Sequence, residues 1–267
     1  MEKTCKALII GDVVGRCGRQ ALERTLADLQ WEHQVDFTVV NGENISGGKG
    51  ISRRGYAFLH QLGVDAVTLG NHIWGHREVV GLLEQEAGLC RPANLPPGTP
   101  GCGWRLFDCG GLQIAVVNLL GRVYMNMPAL DCPFRTVQAL LAEIRQHTPV
   151  ILVDFHAEAT SEKLALANFL DGRVTAVWGT HTHVQTNDAR LLPRGTAYLT
   201  DVGMTGARDS ILGVETEGVV ERYLTGRPQP FLVAQGGEAQ LNGLLLEFDA
   251  DGRAKRLETV QRLVQLH

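Results

Sequence analysis

The sequence predicts an α/β fold in which two stacked sheets are covered by helices on both outer faces. Three observations lead to this prediction. Apolar strand-like runs alternate with amphipathic helical segments from the start of the chain. The early strands are continuously apolar, as expected for strands that are covered on both faces. The later strands follow one another through turns, which favours antiparallel pairing there.

Strands are predicted where short apolar runs stand between polar or turn-forming residues. The runs at 6–10, 35–40 and 66–69 are almost wholly apolar, which indicates strands that lie inside the fold. The run Val-Thr-Ala-Val-Trp at 174–178 has the same character. Further strands are predicted at 112–119, 150–153, 196–199 and 241–248.

Helices are predicted where apolar residues recur at helical spacing. In the segment 19–29, one face carries Ala21, Leu22, Leu26 and Leu29. In the segment 134–147, the same spacing relates Val137, Leu140, Leu141 and Ile144. Further helices are predicted at 54–62, 78–86 and 161–170, and the Pro- and Gly-rich stretch 91–103 is predicted as a loop. No repeat or linker divides the sequence, so we expect residues 1–267 to form one domain.

Composition narrows the function classes. The 267 residues are 44% hydrophobic and 20% charged, which is ordinary for a globular protein. A formal charge of −4 gives no general attraction to nucleic acid or to an anionic membrane. The apolar run at 7–10 is too short for a signal segment or a membrane span, so no membrane association is expected. The six cysteines are scattered without a Cys-x-x-Cys motif, which favours reduced thiols and a cytoplasmic location.

Polar residues that follow five predicted strands are the strongest functional signal. They are Asp12, the stretch Asn-Gly-Glu-Asn at 41–44, Gly-Asn-His at 70–72, Asp-Phe-His at 154–156 and Gly-Thr-His-Thr-His at 179–183. Each places oxygen or nitrogen ligands just past an apolar stretch. Five such strand ends predict a metal site.

The residue types indicate which metals such a site would prefer. The candidates are two carboxylates, two amides and three imidazoles: Asp12, Glu43, Asn44, Asn71, His156, His181 and His183. Oxygen and nitrogen ligands without thiolate suit manganese, iron or zinc. Seven ligands are too many for one ion and fit two ions that share a bridging ligand. We predict that Glu43 is the bridging ligand. Two ions roughly 3.5–4 Å apart can hold a hydroxide between them and clamp a phosphoryl group for in-line attack.

Each candidate has another interpretation when it is taken alone. Asp12 could cap a following helix, and Asn71 could be a loop residue. His156 could be a buried histidine whose ring nitrogens are hydrogen-bonded within the protein. Asn41 is interpreted as a turn residue. Only the joint pattern favours the metal site. His72 follows a candidate ligand directly and is predicted to protonate the leaving alkoxide oxygen instead of binding metal.

Two glycine-rich stretches are candidate phosphate loops. The first, at 11–18, lacks the second glycine of a dinucleotide fingerprint, because Val13 stands there, and Asp12 would face the pyrophosphate. The second, at 46–54, lacks a Gly-Lys-Ser/Thr sequence at the required spacing. It could be a mobile flap that brings Lys49 or Arg53 to an anionic substrate, or a solvated loop.

The motifs resemble those of the calcineurin-like metallophosphoesterase superfamily, with three departures. Val14 takes the first histidine position of Asp-x-His, a Glu43-Asn44 pair replaces the usual bridging aspartate region, and the Gly-His-x-His motif carries an extra threonine. These departures are similar to those of bacterial YmdB-like cyclic-nucleotide phosphodiesterases. Further similar motifs lie at 118–125, 201–206 and 209–213, and the resemblance runs from about residue 6 to residue 261.

The resemblance implies a four-layer α/β/β/α sandwich with a dinuclear site. It would place Asp12, Glu43, Asn44 and His183 on one ion, and Glu43, Asn71, His156 and His181 on the other. His72 would be the proton donor. The implied cofactors are two metal ions, iron first, with manganese or zinc as alternatives. The implied reaction is hydrolysis of 2′,3′-cyclic nucleotides by a metal-bridging hydroxide, and the implied assembly is a homo-oligomer.

Two other functions stay open at this point. One is a broader phosphatase or phosphomonoesterase. The other is a metal-binding regulatory protein whose hydrolysis is incidental.

Overall fold

The computed structural model describes residues 4–266, and these form two sheets with helices around them. The strands are β1 (Thr4–Ile10), β2 (Asp12–Val13), β3 (Phe37–Asn41), β4 (Ala66–Thr68), β5 (Leu89–Cys90), β6 (Trp104–Cys109), β7 (Leu112–Leu120), β8 (Ile151–His156), β9 (Ala176–Thr180), β10 (Arg190–Leu191), β11 (Ala197–Leu199), β12 (Met204–Ala207), β13 (Gly237–Asp249) and β14 (Ala254–Leu266). The helices are α1 (Gly15–His33), α2 (Arg53–Gln61), α3 (Val79–Gln85), α4 (Pro133–Ile144), α5 (Thr160–Leu170) and α6 (Thr216–Thr225), and a 3₁₀ helix covers Ile73–Gly75.

The first sheet has the order β2-β12-β13-β1-β3-β4-β5, and β14 pairs with β13 as well. Strands β1, β3, β4 and β5 run parallel, whereas β13 is antiparallel to both β1 and β14. The second sheet has the order β10-β11-β9-β8-β7-β6, in which the central strands β7, β8, β9 and β11 are parallel. Parallel strands place their carboxyl ends at the same edge of a sheet, so polar residues that follow them are brought together.

Strand β1 shows why the early strands are apolar on both faces. Leu8 and Ile10 pack on the helix-covered side of the first sheet, with the apolar face of α1. Ala7 and Ile9 point the other way and pack between the two sheets. The same inner layer contains Trp178 from the second sheet. A strand that is covered on both sides has no face left for polar residues.

Three apolar layers separate the four structural layers. The outer layer of the first sheet contains buried residues from α1, α2 and α3, and the inner layer lies between the sheets. The outer layer of the second sheet contains Val137 and Leu141 from α4 and Leu166 from α5. The predicted α/β/β/α sandwich is therefore confirmed.

Helix starts follow ordinary capping chemistry where the sequence provides it. The Ser52 side chain accepts a hydrogen bond from Gly55 N at the start of α2. Pro133 is the first residue of α4, where the missing N–H has no cost. Among residues 4–266, no helix combines the length and the apolar composition that a membrane crossing requires.

Several elements differ from the sequence predictions. Helix α1 begins at Gly15, four residues before the predicted start at residue 19. The sequence does not predict the strands β6, β12 and β14, the two-residue strands β2, β5 and β10, or the helix α6. Antiparallel pairing of the later strands is confirmed for β13 and β14, but β11 pairs parallel with β9.

Candidate metal centre

The two sheets bring the seven predicted metal ligands together at one edge of the sandwich. The first sheet contributes Asp12 in β2, Glu43 and Asn44 after β3, and Asn71 after β4. The second sheet contributes His156 at the end of β8, and His181 and His183 after β9. Neither sheet supplies the group alone.

The Nε2 atom of His156 lies at the centre of one group of contacts. It is 2.9 Å from Asn71 Oδ1, 3.0 Å from His181 Nδ1 and 3.2 Å from Glu43 Oε1. A ring nitrogen carries at most one proton, and the two oxygens only accept. Whichever tautomers the two rings adopt, at least one of the three contacts of His156 Nε2 therefore has no proton between its two atoms and cannot be a hydrogen bond. A cation among these atoms would satisfy all of them.

Glu43 lies between this group and a second one. The Asn44 Nδ2 group donates to Glu43 Oε1 at 3.1 Å and lies 3.2 Å from His183 Nε2. Donor atoms of Glu43, His156 and His181 all lie within 4.8 Å of one another, a spacing that could hold a metal ion. One carboxylate oxygen, Glu43 Oε1, thus contacts both His156 and Asn44, while Oε2 accepts a hydrogen bond from His72 N.

The backbone at Gly70 makes this close packing of side chains feasible. A Cβ atom at Gly70 would lie 2.2 Å from Glu43 Oε2 and 2.4 Å from His156 Nε2. Any larger residue would push the carboxylate or the ring away. The glycine of the Gly-Asn-His motif is therefore required by the site.

The loop that carries the last two histidines has an unusual backbone. His181 has φ 100° and His183 has φ 65°, a region that non-glycine residues rarely adopt. Such residues persist where the surrounding structure holds them. His181 N donates to Asp12 Oδ2 at 3.0 Å, which fixes one end of the loop.

A buried ion pair holds the residue between the two histidines. Asp201 Oδ2 accepts hydrogen bonds from the backbone N and from Oγ1 of Thr182, at 3.1 and 2.7 Å. The same oxygen lies 2.6 Å from Lys163 Nζ, and both side chains are buried, at 1% and 0% exposure. Sequence reasoning assigned Asp201 no role beyond its place in a family-like motif. It missed Lys163 altogether, because a lysine on a helix has no signal that predicts burial.

The remaining ring nitrogens are fixed by partners outside the group. His156 Nδ1 lies 2.9 Å from Thr180 Oγ1, and His183 Nδ1 lies 2.9 Å from the Leu212 carbonyl oxygen. These contacts orient the Nε2 atoms of both rings toward the candidate ligands, as outer partners of metal-bound histidines do. Glu158, which has no signal in the sequence, places its Oε2 atom 3.1 Å from His181 Nε2.

Electrostatics favour the protonation states that metal binding requires for Glu43 and His181, but not for Asp12, whose pKa burial raises, nor for His156. Burial alone would raise the pKa of Glu43, but the adjacent His156 ring outweighs it and lowers the pKa to about 2. Burial, together with the His156 ring, lowers the pKa of His181 to about 3. Burial would also lower the pKa of His156, but Glu43 outweighs it and raises this pKa to about 9. An ionised Glu43 and a neutral His181 are ready to bind metal, while a metal ion and a proton would compete for His156.

Two buried oxygens support the same interpretation. Asp12 Oδ1 and Asn44 Oδ1 are buried and accept no hydrogen bond from any residue in the described chain. Buried polar atoms normally have a partner, so each of these needs an explanation. Together with the imidazoles they form an oxygen and nitrogen donor set. The residues therefore fit metal ions that prefer such ligands.

A cleft of about 1030 Å³ opens over the candidate metal centre. Its lining includes Glu43 and the predicted proton donor His72, together with Lys49 from the glycine-rich loop. The backbone N of His72 donates to Glu43 Oε2 at 3.0 Å, which keeps the residue beside the centre. Arg53 is not brought to the cleft, because its guanidinium donates to Gln85 Oε1 at 2.8 Å.

Comparison with known proteins gives a consistent result. The model of one family, described as YmdB-like protein, matches residues 8–260. A 2′,3′-cyclic-nucleotide 2′-phosphodiesterase of Bacillus subtilis (strain 168) is 46% identical over 259 residues, which cover 97% of this chain and 96% of the relative.

Solved structures agree over nearly the whole chain. A hypothetical protein from Thermus thermophilus has a TM-score of 0.90 at 47% identity, with coverage of 97% of this chain and 99% of that chain. A novel phosphatase from Mycoplasma pneumoniae has a TM-score of 0.93 at 35% identity, with coverage of 98% and 95%. A 5′-nucleotidase precursor from Thermus thermophilus shares the fold alone, with a TM-score of 0.60 at 17% identity and coverage of 99% and 55%.

Proposed function

The chain belongs to the YmdB-like protein family, and on that premise we propose that it is a metal-dependent phosphodiesterase that hydrolyses 2′,3′-cyclic nucleotides. The observation that carries the proposal is the group of donor atoms around His156 Nε2 and Glu43 beneath an open cleft. The Bacillus subtilis relative, named for the same reaction, supports the substrate class.

The proposed cofactor is a pair of metal ions, iron first, with manganese or zinc as alternatives. One ion would be held by Asp12, Glu43, Asn44 and His183, and the other by Glu43, Asn71, His156 and His181. The contacts of Glu43 with both groups support its role as the shared ligand. When bound, the ions would supply an activated water and positive charge at the phosphoryl oxygens.

The residues of the cleft would handle the substrate itself. Lys49 would attract the anionic phosphate, because its side chain lines the cleft beside His72. His72 would transfer a ring proton to the departing ribose oxygen as the P–O bond breaks. Burial lowers the pKa of His72, so its protonated ring would be a stronger acid but would be present in a smaller fraction of the molecules at neutral pH.

The proposal extends to the setting of the enzyme. We expect a small nucleotide as its substrate, with no general binding of nucleic acid, because the net charge is −4. A cytoplasmic homo-oligomer remains our expectation from cysteine usage and from the family resemblance.

A substrate panel with metal analysis tests the proposal. Purified protein is assayed for metal content and for turnover of 2′,3′-cyclic nucleotides, 3′,5′-cyclic nucleotides and 5′-monophosphates. The 2′,3′-cyclic esters should be cleaved fastest, and Glu43→Ala serves as the control for contaminating activity. Equal or faster release of phosphate from the monoesters would favour a phosphatase, as the name of the Mycoplasma pneumoniae relative would suggest. No turnover with any metal would favour a regulatory protein.

A further inference from the structure

One part of the cleft lining has no role in the chemistry described so far. It belongs to the segment 211–233, which we call the arm and which contains helix α6. The arm contributes mainly apolar and aromatic side chains to the cleft, among them Leu212, Val219, Tyr223, Phe231 and Val233, together with the cationic side chain of Arg222. The candidate metal centre lines the same cleft with polar groups, so the cleft has two chemically different parts.

The base of the arm is fixed to the candidate metal centre. Leu212, whose carbonyl oxygen is 2.9 Å from His183 Nδ1, joins the arm directly to a predicted ligand. Val214 forms isolated antiparallel bridges with Ile211 and Val233, which close the arm at its base. The arm therefore stands in a defined position relative to the metal centre.

The aromatic side chains of the arm are unusually exposed to solvent. Tyr223 is 87% exposed and Phe231 is 56% exposed, although both line the cleft. The Arg222 guanidinium lies over the Phe231 ring at 5.0 Å from its centroid. Exposed aromatic faces beside a basic group are the arrangement on which bases of nucleic acids stack.

We propose that Tyr223 and Phe231 form the subsite that binds the nucleobase of the substrate, while the phosphate lies at the metal centre. The inference rests on the proposed function, because it assigns the base of the same cyclic nucleotide. A phosphate alone does not need a cleft of about 1030 Å³, which is at the upper end of the range for small-molecule sites. Stacking accepts any base, so the subsite should tolerate both purines and pyrimidines.

Kinetics on substrates with and without a base test the subsite. The variants are Tyr223→Ala and Phe231→Ala, with Tyr223→Phe as the conservative variant that keeps the ring. Trp31→Ala is the matched control, because Trp31 is an exposed aromatic residue (83%) on α1 outside the cleft. The substrates are adenosine 2′,3′-cyclic phosphate and glycerol 1,2-cyclic phosphate, which has no base.

The expected signature is a change in KM that depends on the base. Each alanine variant should raise KM for the adenosine ester by roughly 5- to 140-fold, which corresponds to stacking of about 1–3 kcal/mol at 1.4 kcal/mol per tenfold. Turnover of the glycerol ester should stay within about twofold, and Tyr223→Phe and Trp31→Ala should match the wild type on both. Equal losses on the two esters, or no change in KM for adenosine, would overturn the proposal.

Binding without turnover separates this inference from the proposed function. Calorimetry with adenosine 3′-monophosphate and ribose 3-phosphate measures the contribution of the base directly. The wild type should bind the nucleotide more tightly, and the two alanine variants should lose that preference. If the wild type fails to hydrolyse cyclic nucleotides but shows this preference, the proposed reaction is wrong and the subsite stands. If it shows no preference for the nucleotide, the subsite is wrong whatever the reaction.

Discussion

Replacing Lys163 by methionine should destabilise the fold by about 3 kcal/mol, because the Asp201 carboxylate would stay buried without its cation. The Lys163 ammonium lies 2.6 Å from Asp201 Oδ2, and the side chains are 1% and 0% exposed. Breaking such a buried pair typically costs about 3–5 kcal/mol. The low end applies here, because Asp201 would keep its hydrogen bonds from Thr182 and from Gly203 N.

Urea denaturation at a fixed metal concentration measures this loss. The double variant Lys163→Met/Asp201→Asn should be more stable than Lys163→Met, since no charge is left buried. The matched control is Arg256→Met, which breaks an ion pair of 2.7 Å with Glu258 whose side chains are 69% and 42% exposed. That exposed pair should contribute less than about 1 kcal/mol.

Comparable losses in Lys163→Met and Arg256→Met would refute the reasoning. The candidate metal centre should be affected as well, because Asp201 holds Thr182, which lies between two candidate ligands. Lys163→Met should therefore bind metal more weakly in the folded state, as measured by elemental analysis after dialysis. Unchanged metal content in the folded variant would limit the ion pair to a structural role.

Two further sets of substitutions should separate metal binding from proton transfer, and a labelling experiment should test the reactivity of the cysteine thiols. Glu43→Ala should lose both ions and Asn44→Ala mainly one, so two ions retained by Glu43→Ala in elemental analysis would remove its bridging role. His72→Ala should keep its metals and lose about 10²–10⁴-fold in turnover of an alkoxide ester, but much less with a nitrophenolate leaving group; equal losses would argue against proton donation. Burial raises the pKa of the Cys90 thiol to about 12. Iodoacetamide at pH 8 should therefore label the exposed Cys102 and spare Cys90 in the native protein, and mass spectrometry that finds equal labelling would contradict this.

The parts of the site that could be predicted are those that adjoin strands in the sequence. His156 ends β8, and Glu43 and Asn44 follow within three residues of the end of β3, so each candidate ligand adjoins an apolar run in the sequence. Parallel pairing then brings the separate strand ends to one edge. The pattern of apolar runs was also enough to predict the four layers, because a strand such as β1 that is apolar on both faces must be covered on both.

The parts that could not be predicted depend on tertiary contacts. Helix α1 begins in a stretch with two glycines, a pattern that predicts a turn. In the structure, Gly18 instead allows the helix to pass close to β12, because a Cβ atom at this position would lie 2.4 Å from Thr205 O. Strand β14 pairs with β13 beside the main path of the sheet and is mostly exposed or half-buried, so its apolar residues are interspersed with polar ones and form no continuous apolar run. Lys163 looks like a surface residue until Asp201 is placed beside it.

The division of the candidate ligands between two sheets has a consequence for how the enzyme is assembled. Each proposed ion would take ligands from both sheets: Asn44 and His183 belong to one set, and Asn71 and His156 to the other. A growing chain that has completed only β1 to β4 would hold no complete set, so stable metal uptake would follow the docking of the sheets. The bound ions would then join the two halves of the sandwich, and a chelator would weaken the protein against unfolding by removing ligands that bind only the folded state.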